Sequence, residues 1–305
     1  LVINKFRGDV EILRPGLTQL EELTGKPVLG VVPYGHFDID DEDSLSERLE
    51  TKSAPALVNI AVVKLPRLSN FTDFSALSRV PGVSVRYADR PARLEGADLI
   101  ILPGTKSTIA DLRWLRESGM EAVLLKAHAA GTTVFGICGG YQMMGRTVSD
   151  PENTEGGGSV RGMELLRAKT VFTPEKRRSR TSGKFAQIEG AFAFLSGAEF
   201  SGYEIHMGRT EISGKPLISN PDGTTDGTSG GACGNVCGCY VHGIFDSGEV
   251  SSRLVGELFR RKGLEFTGKA VDRSAYKQSQ YDLLADSVRE SLDMELIYRI
   301  LREGI

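Results

Sequence analysis

The sequence predicts an α/β protein. Apolar strand-like runs alternate with amphipathic helical runs, two of the strand-like runs end in glycine-bearing turns, and a more β-rich half follows. Over residues 57–138 the strands are VNIAVVKL, VSVRYAD, ADLIILPG and TTVFGIC, separated by FTDFSALSRV and by two Leu- and Ala-rich helical segments. Parallel strands need such crossovers, so this order implies a parallel sheet with helices on both faces. Ligands of these sheets bind at the carboxyl ends of the strands. LPG (102–104) and Cys138 both stand at such ends, so two separate segments converge on one edge.

Before this core, the first 35 residues read as a β-α-β unit. LVINKF and KPVLGVVPY are strands, and PGLTQLEELTG between them is a helix with proline near its start and glycine at its end. The chain opens without methionine directly into a strand, which reads as a start within a domain. The acidic run DIDDEDSLSERLE (38–50) and TKSAPA after it read as a solvated connector, since the acids lack metal-ligand spacing. After the core, GMELLRAKTVF, FAQIEGAFAFL, GYEIHMGRTEI and GCYVHGIFD read as β structure, EKRRSR (175–180) as a basic loop and Asn220–Gly238 as a long glycine-rich loop. The end of the chain has apolar residues three and four apart and is helical. The expected division is therefore 1–50, 51–250 and a helical extension over 251–305.

Composition removes some function classes. A net charge of -3 gives no electrostatic footprint for nucleic acid, and no apolar run approaches the roughly 18 residues of a membrane span. Four cysteines, three of them bunched at 233, 237 and 239, do not form a secreted disulfide framework, so a cytoplasmic location is expected. That cluster lacks a nearby fourth ligand, and no metal site is expected from it. Arg177, Arg178, Arg180 and Lys184 suit a polycarboxylate, although charged runs are usually solvated faces.

The stretch FGICGGYQMMG (135–145) places Cys138 at a strand-to-helix junction. Such an elbow exposes a nucleophile, glycines at 136, 139 and 140 permit positive φ and close approach, and the helix N-terminus favours thiolate. A cysteine nucleophile needs a base, and the histidines are His36, His128, His206 and His242. His36 in YGHFD and His128 in LLKAHAAG suit structural roles. His242 ends the apolar run CYVHG at the same sheet edge as Cys138 and is the candidate base. His206, in YEIHMG, is a candidate for contact with substrate.

GICGGYQ fits the GxCxGxQ pattern and resembles class I glutamine amidotransferases. LPGTKST, SGYEIHMGRT and YVHGIFD are similar to their cobalamin-pathway branch, and INKFRGD and PVLGVVPY resemble the end of that branch's ATP-binding domain. The resemblance covers nearly the whole chain. It implies a flavodoxin-like domain with a mixed sheet, preceded by the C-terminal remnant of a P-loop-type ATP-binding α/β domain. It also implies that Cys138 attacks the glutamine amide, His242 relays protons, the Gly104 and Gly139 N–H groups hold the oxyanion, and Gln142 holds glutamine.

Ammonia would then reach an acyl phosphate made with ATP and Mg2+ on the corrin substrate, at the b, d, e and g carboxylates of adenosylcobyrinic acid a,c-diamide. Glu204 and His206 are the candidate corrin-facing residues, and Asn4 and Lys5 match the segment near the nucleotide base. There is no GxxxxGK[ST] loop, so the expected partner is a missing N-terminal ATP-binding domain, and the chain alone is at most a glutaminase and corrin-facing module. Many relatives carry His-x-Glu, but Gly243 and Ile244 follow His242 here. The orienter of His242 is left to Asp246, Glu204 or a backbone carbonyl. Related ligases (a,c-diamide synthase, lipid II amidation), a cysteine peptidase on the same scaffold and a non-catalytic remnant are the rival readings.

Overall fold

The structure, a computed structural model, describes residues 1–35, 37, 56–219, 229–268 and 273–304. His36, the acidic run 38–50 and residues 220–228 of the glycine-rich segment lie outside the described residues. The chain forms two compact units, residues 1–40 with 274–305 and residues 41–273.

In the first unit, β1 (Ile3–Phe6), α1 (Val10–Thr24) and β2 (Val31–Pro33) form the expected β-α-β, with β1 and β2 parallel. The local signals work as read. Asp9 caps α1 by accepting the Glu11 N–H at 2.9 Å, and Gly25 ends it in the left-handed conformation at φ 62°.

The second unit is built on β3 (Val58–Val63), α2 (Ser75–Ser78), β4 (Val83–Ala88), β5 (Leu99–Leu102), α3 (Thr108–Glu117), α4 (Met120–Ala129), β6 (Thr133–Ile137) and α5 (Gly139–Met143). β3 to β6 are mutually parallel, and every residue of β5 (LIIL) and β6 (TVFGI) is buried, as continuous apolar runs covered on both faces should be. The chain continues through β7 (Thr147–Asp150), β8 (Gly158–Arg161), β9 (Ala168–Phe185), β10 (Glu199–Ile212), β11 (Ile218–Ser219), β12 (Gly230–Cys233), β13 (Val236–Cys239) and α6 (Gly248–Arg261).

β13 returns to the first sheet, parallel to β6, and β12 pairs antiparallel outside it, giving a mixed sheet in the order β12-β13-β6-β5-β3-β4. The other strands form a second sheet, β10-β9-β7-β8, with β11 on β9. α6 buries Val250, Leu254, Val255, Leu258 and Phe259 within this unit. α7 (Arg273–Ser291) and α8 (Met294–Glu303) follow, and Asp293 caps α8 while its own N–H bonds Leu29 O at 2.7 Å in the first unit. No described helix is long and apolar enough to cross a membrane.

Three local expectations are corrected. EKRRSR is not a loop but the middle of β9, where its residues pair with β10 from Arg180↔Tyr203 to Lys176↔Met207. Its charges keep their heads in water while the backbone is satisfied by the ladder, a pattern that composition alone does not register. FAQIEGAFAFL is not one strand, since β9 ends at Phe185 and residues 190–195 form a 3-10 helix that buries Phe192 and Leu195. The described part of the glycine-rich segment is not loop either, because residues 230–239 make the β12–β13 hairpin.

Candidate active site

Cys138 joins β6 to α5 at φ 51° and ψ -111°, a conformation that costs a β-carbon-bearing residue about 1–3 kcal/mol unless its surroundings impose it. The positive φ therefore falls on the cysteine and not on its flanking glycines, which serve close approach instead. A Cβ on Gly140 would stand 2.1 Å from the Leu102 carbonyl oxygen. The strain is held by a hydrogen bond from Cys138 N to Cys239 O at 2.9 Å, while Sγ lies 3.8 Å from Ile205 O on β10.

His242, 1 % exposed, shares one pocket with Cys138, since a Cβ on Gly104 would lie within 4 Å of both side chains. Its Nδ1 meets Asp73 Oδ2 at 2.7 Å, and the Gly243 N–H donates to Asp73 Oδ1 at 3.0 Å. Asp73 is thus the orienter that sequence reasoning missed. Neither expected carboxylate does this work: Asp246 lies in the next turn with its N–H on Gly243 O, and Glu204 is held by Arg177 Nε at 3.1 Å and His206 Nε2 at 3.4 Å. Asp73 sits in the 3-10 turn Phe71–Phe74, 169 residues from His242, and FTDF carries no motif that pairs it with a histidine. Burial disfavours the charged imidazole, but the Asp73 carboxylate and Cys138 sulfur beside it prevail and push His242 up to about 10.

Gly104, at the end of β5, faces the same point. A Cβ there would sit 2.9 Å from His242 Cε1, 3.0 Å from Ser69 Oγ and 3.7 Å from Cys138 Cβ. Gly139 opens α5, where the N–H has no partner within the helix, and a Cβ on it would lie 3.3 Å from Thr105 N in the turn after Gly104. The two glycine turns therefore bracket the sulfur. Gly104→Ala is expected to lower turnover at this site by about 100-fold through displacement of the imidazole, since misplacement of about 1 Å has that cost. The melting temperature should move little; a variant of wild-type turnover would contradict this geometry.

Gln142 is buried and fully used within the protein. Its Oε1 accepts from Thr108 Oγ1 at 2.9 Å, and its Nε2 donates to Met207 O at 3.0 Å and to Tyr240 OH at 3.1 Å. The Tyr240 hydroxyl, whose pKa burial pushes up, also meets Thr210 Oγ1, which pairs with Thr170 Oγ1 at 2.7 Å. Glu155 receives the Thr108 N–H at 2.7 Å, and its burial pushes it up to about 7. In this state Gln142 ties α5 to β10 instead of offering its amide to a ligand.

His206 stacks on Tyr240 with ring centroids 3.6 Å apart. Both line a cavity of about 460 Å³ with Arg177, Gly208 and Arg209. The cavity lies where residues 172–175 of β9 bulge out against the single Gly208 of β10, and bulges of this kind open space beside strands that are otherwise closed.

The remaining candidates stand on other elements. Asn4 and Lys5 are on β1 in the first unit, where Asn4 Oδ1 accepts the Lys5 N–H at 2.9 Å. Lys184 pairs with Glu199 at 2.8 Å, and Arg178 and Arg180 are exposed on β9. His128 is on α4. Cys233 is exposed while Cys237 and Cys239 are buried in β13, and among the described residues no three His, Cys, Asp or Glu side chains are grouped to hold a metal.

The family model described as "CobB/CobQ-like glutamine amidotransferase domain" matches residues 59–250. Among curated relatives, a cobyric acid synthase of Ruminiclostridium cellulolyticum is 50 % identical over 100 % of this chain and 60 % of its own length. Cobyric acid synthases of Lachnoclostridium phytofermentans and Citrobacter koseri are 48 % and 44 % identical, covering 100 % and 99 % of this chain and 63 % and 61 % of their own lengths. The chain thus spans about three-fifths of the length of the relatives it matches.

Proposed function

We propose, from the premise that the chain belongs to the CobB/CobQ-like glutamine amidotransferase domain family, that it hydrolyses glutamine at Cys138 and supplies ammonia for amidation of corrin carboxylates. The observation that carries this reading is the Asp73–His242 pair set beside Cys138 at a strained elbow.

The Cys138 sulfur, with its proton held by His242, attacks the glutamine side-chain carbonyl as a thiolate. The oxyanion is met by the N–H groups of Gly104 and Gly139. Collapse breaks the C–N bond, and His242 returns the proton to the leaving nitrogen, releasing ammonia and leaving a thioester on Cys138. Water, deprotonated by His242, then attacks the thioester, glutamate leaves, and the sulfur is regenerated. His206, at the cavity wall and backed by Glu204, is placed to meet a ligand there, and Arg177 and Arg209 supply positive charge for a carboxylate.

The corrin assignment rests on the relatives' name. We take residues 1–50 as the end of an ATP-binding synthetase domain and its linker and 51–250 as the amidotransferase domain; the expected single helical extension over 251–305 is divided, since α6 belongs to the amidotransferase unit and 274–305 group with residues 1–40. Asn4 and Lys5 would lie on the nucleotide-base side. Carboxylate activation by such enzymes uses ATP and Mg2+, but this sequence has no GxxxxGK[ST] loop and the described residues build no metal site. The residues present do not fit the nucleotide phosphates, and no step of this chain's chemistry runs through ATP. Four free cysteines suit a cytoplasmic setting.

The test supplies the chain with the ATP-binding portion of the Ruminiclostridium cellulolyticum relative, glutamine, ATP, Mg2+ and adenosylcobyrinic acid a,c-diamide. Stepwise amidation of the corrin, absent with Cys138→Ser when glutamine is the only nitrogen source, is the expected result. Glutamine hydrolysis without any corrin amidation, with turnover of another acid instead, would remove the corrin assignment.

A further inference from the structure

We propose that Tyr203 is a positioning residue of this site: its ring, anchored by Asn70, covers the face of His242 and fixes the imidazole in the plane where Asp73 and Cys138 can both reach it. The proposal rests on the reading of His242 as the base.

Tyr203 touches His242 in two independent ways. The backbones exchange both hydrogen bonds, Tyr203 N to His242 O at 3.1 Å and His242 N to Tyr203 O at 2.8 Å, an isolated bridge where β10 passes the end of β13. The side chains also stack, with ring centroids 5.3 Å apart and planes at 22°. Two successive constraints on one residue leave little freedom. The bridge sets where the His242 backbone stands, and the stack opposes rotation of the imidazole out of its plane, which would otherwise break the Nδ1 bond to Asp73.

The hydroxyl of Tyr203 accepts a hydrogen bond from Asn70 Nδ2. Asn70 stands at φ 53°, the left-handed conformation that asparagine tolerates better than most residues, directly before the Phe71–Phe74 turn that carries Asp73. The Asp73 N–H bonds Asn70 O at 3.0 Å, and the Ser69 N–H bonds Gly104 O at 3.0 Å. One five-residue segment, 69–73, thus holds the oxyanion-side glycine turn, the carboxylate that orients the imidazole, and the anchor of the ring that covers it. Tyr203 is 38 % exposed although it lies over a histidine that is 1 % exposed, so it forms the wall between the base and solvent. A ring kept there only for the hydrophobic core would be buried on both faces.

The test uses the whole chain with Tyr203→Phe, Tyr203→Leu, Tyr203→Ala and Asn70→Ala. The first readout is the downfield proton resonance of His242 Nδ1–H in its bond to Asp73, assigned by its loss in His242→Gln. The second is the split between kcat and KM for glutamine. Tyr203→Phe keeps the stack but loses the bond from Asn70, so like Asn70→Ala it is expected to broaden the resonance and to lower turnover by less than Tyr203→Ala does. Tyr203→Ala and Tyr203→Leu are expected to lose the resonance to solvent exchange and to lower kcat about tenfold with KM unchanged. Asn70→Ala should broaden the resonance and fall between.

A folded Tyr203→Leu or Tyr203→Ala that keeps both the resonance and wild-type kcat overturns the proposal, as does Tyr203→Phe that loses both. If Tyr203→Ala fails to fold, Tyr203→Leu and Asn70→Ala decide. Because the resonance needs no turnover, a wild-type chain that lacks glutaminase activity but shows the resonance would count against the proposed function and leave this inference to the variants.

Discussion

A glutamine-mimicking diazoketone is expected to add once to the chain, to be absent from Cys138→Ser, and to report the same thiol on which glutamate release depends. Loss of hydrolysis in Cys138→Ser should be about 10⁴-fold or more, because nucleophile and base act as a unit and removing either forfeits nearly the whole chemical contribution. Serine in that place is a weaker nucleophile against an amide, and its proton is far harder to remove than a thiol's. The elbow that presents Cys138 is set by the backbone and by the packing of Gly140 against Leu102, so the variant should fold normally. Intact mass after labelling, with glutamate production measured in parallel, gives the answer. A labelled Cys138→Ser, or hydrolysis that survives it, would move the chemistry to another residue.

Asp73→Asn is expected to lower kcat/KM by about 10²- to 10⁴-fold while the chain stays folded, the size seen when an orienting carboxylate becomes an amide. The direction follows from the neighbours. The Gly243 N–H donates to one Asp73 oxygen at 3.0 Å, so the asparagine carbonyl takes that place and its NH₂ is turned toward His242 Nδ1. The imidazole then holds its proton on the nitrogen facing sulfur, which is the tautomer that cannot accept one.

The same substitution alters the pH dependence of stability. His242 is raised in the folded protein from 6.5 to about 10, chiefly by the Asp73 carboxylate working against burial. A raised histidine contributes stability that is complete below about pH 6.5 and is lost as pH rises through about 10. Urea midpoints of wild type and Asp73→Asn should therefore differ more at pH 6 than at pH 10. A gap that does not narrow would mean that Asp73 does not hold the charged ring.

Much of this protein was legible in the sequence because it is written in local terms. The alternation of LIIL and TVFGI with helical runs encodes a buried parallel sheet, since strands covered on both faces must be apolar throughout. The elbow is local too: a strand, a cysteine and two glycines before a helix leave few conformations, and the glycines are required by contacts such as Gly140 on Leu102. Cys138 and His242 could be paired from sequence only because each ends an apolar run at the same sheet edge, and the chain holds just four histidines.

What the tertiary structure decided depends on partners distant in the chain. Asp73 reaches His242 across 169 residues, and a short turn such as FTDF has no periodicity to announce that one of its side chains is buried in a site. Gln142 matches a motif, but its three hydrogen bonds to Thr108, Met207 and Tyr240 exist only after β10 and the end of β13 close over α5. EKRRSR misled because strand pairing satisfies backbone groups whatever the side chains are, so a solvent-facing ladder tolerates a charged run that composition assigns to a loop. By itself the sequence determined the α/β class and pointed to the candidate nucleophile and base, all products of local geometry and apolar pattern. Only the fold decided what orients that base and what covers it, because those are contacts between segments that the sequence keeps apart.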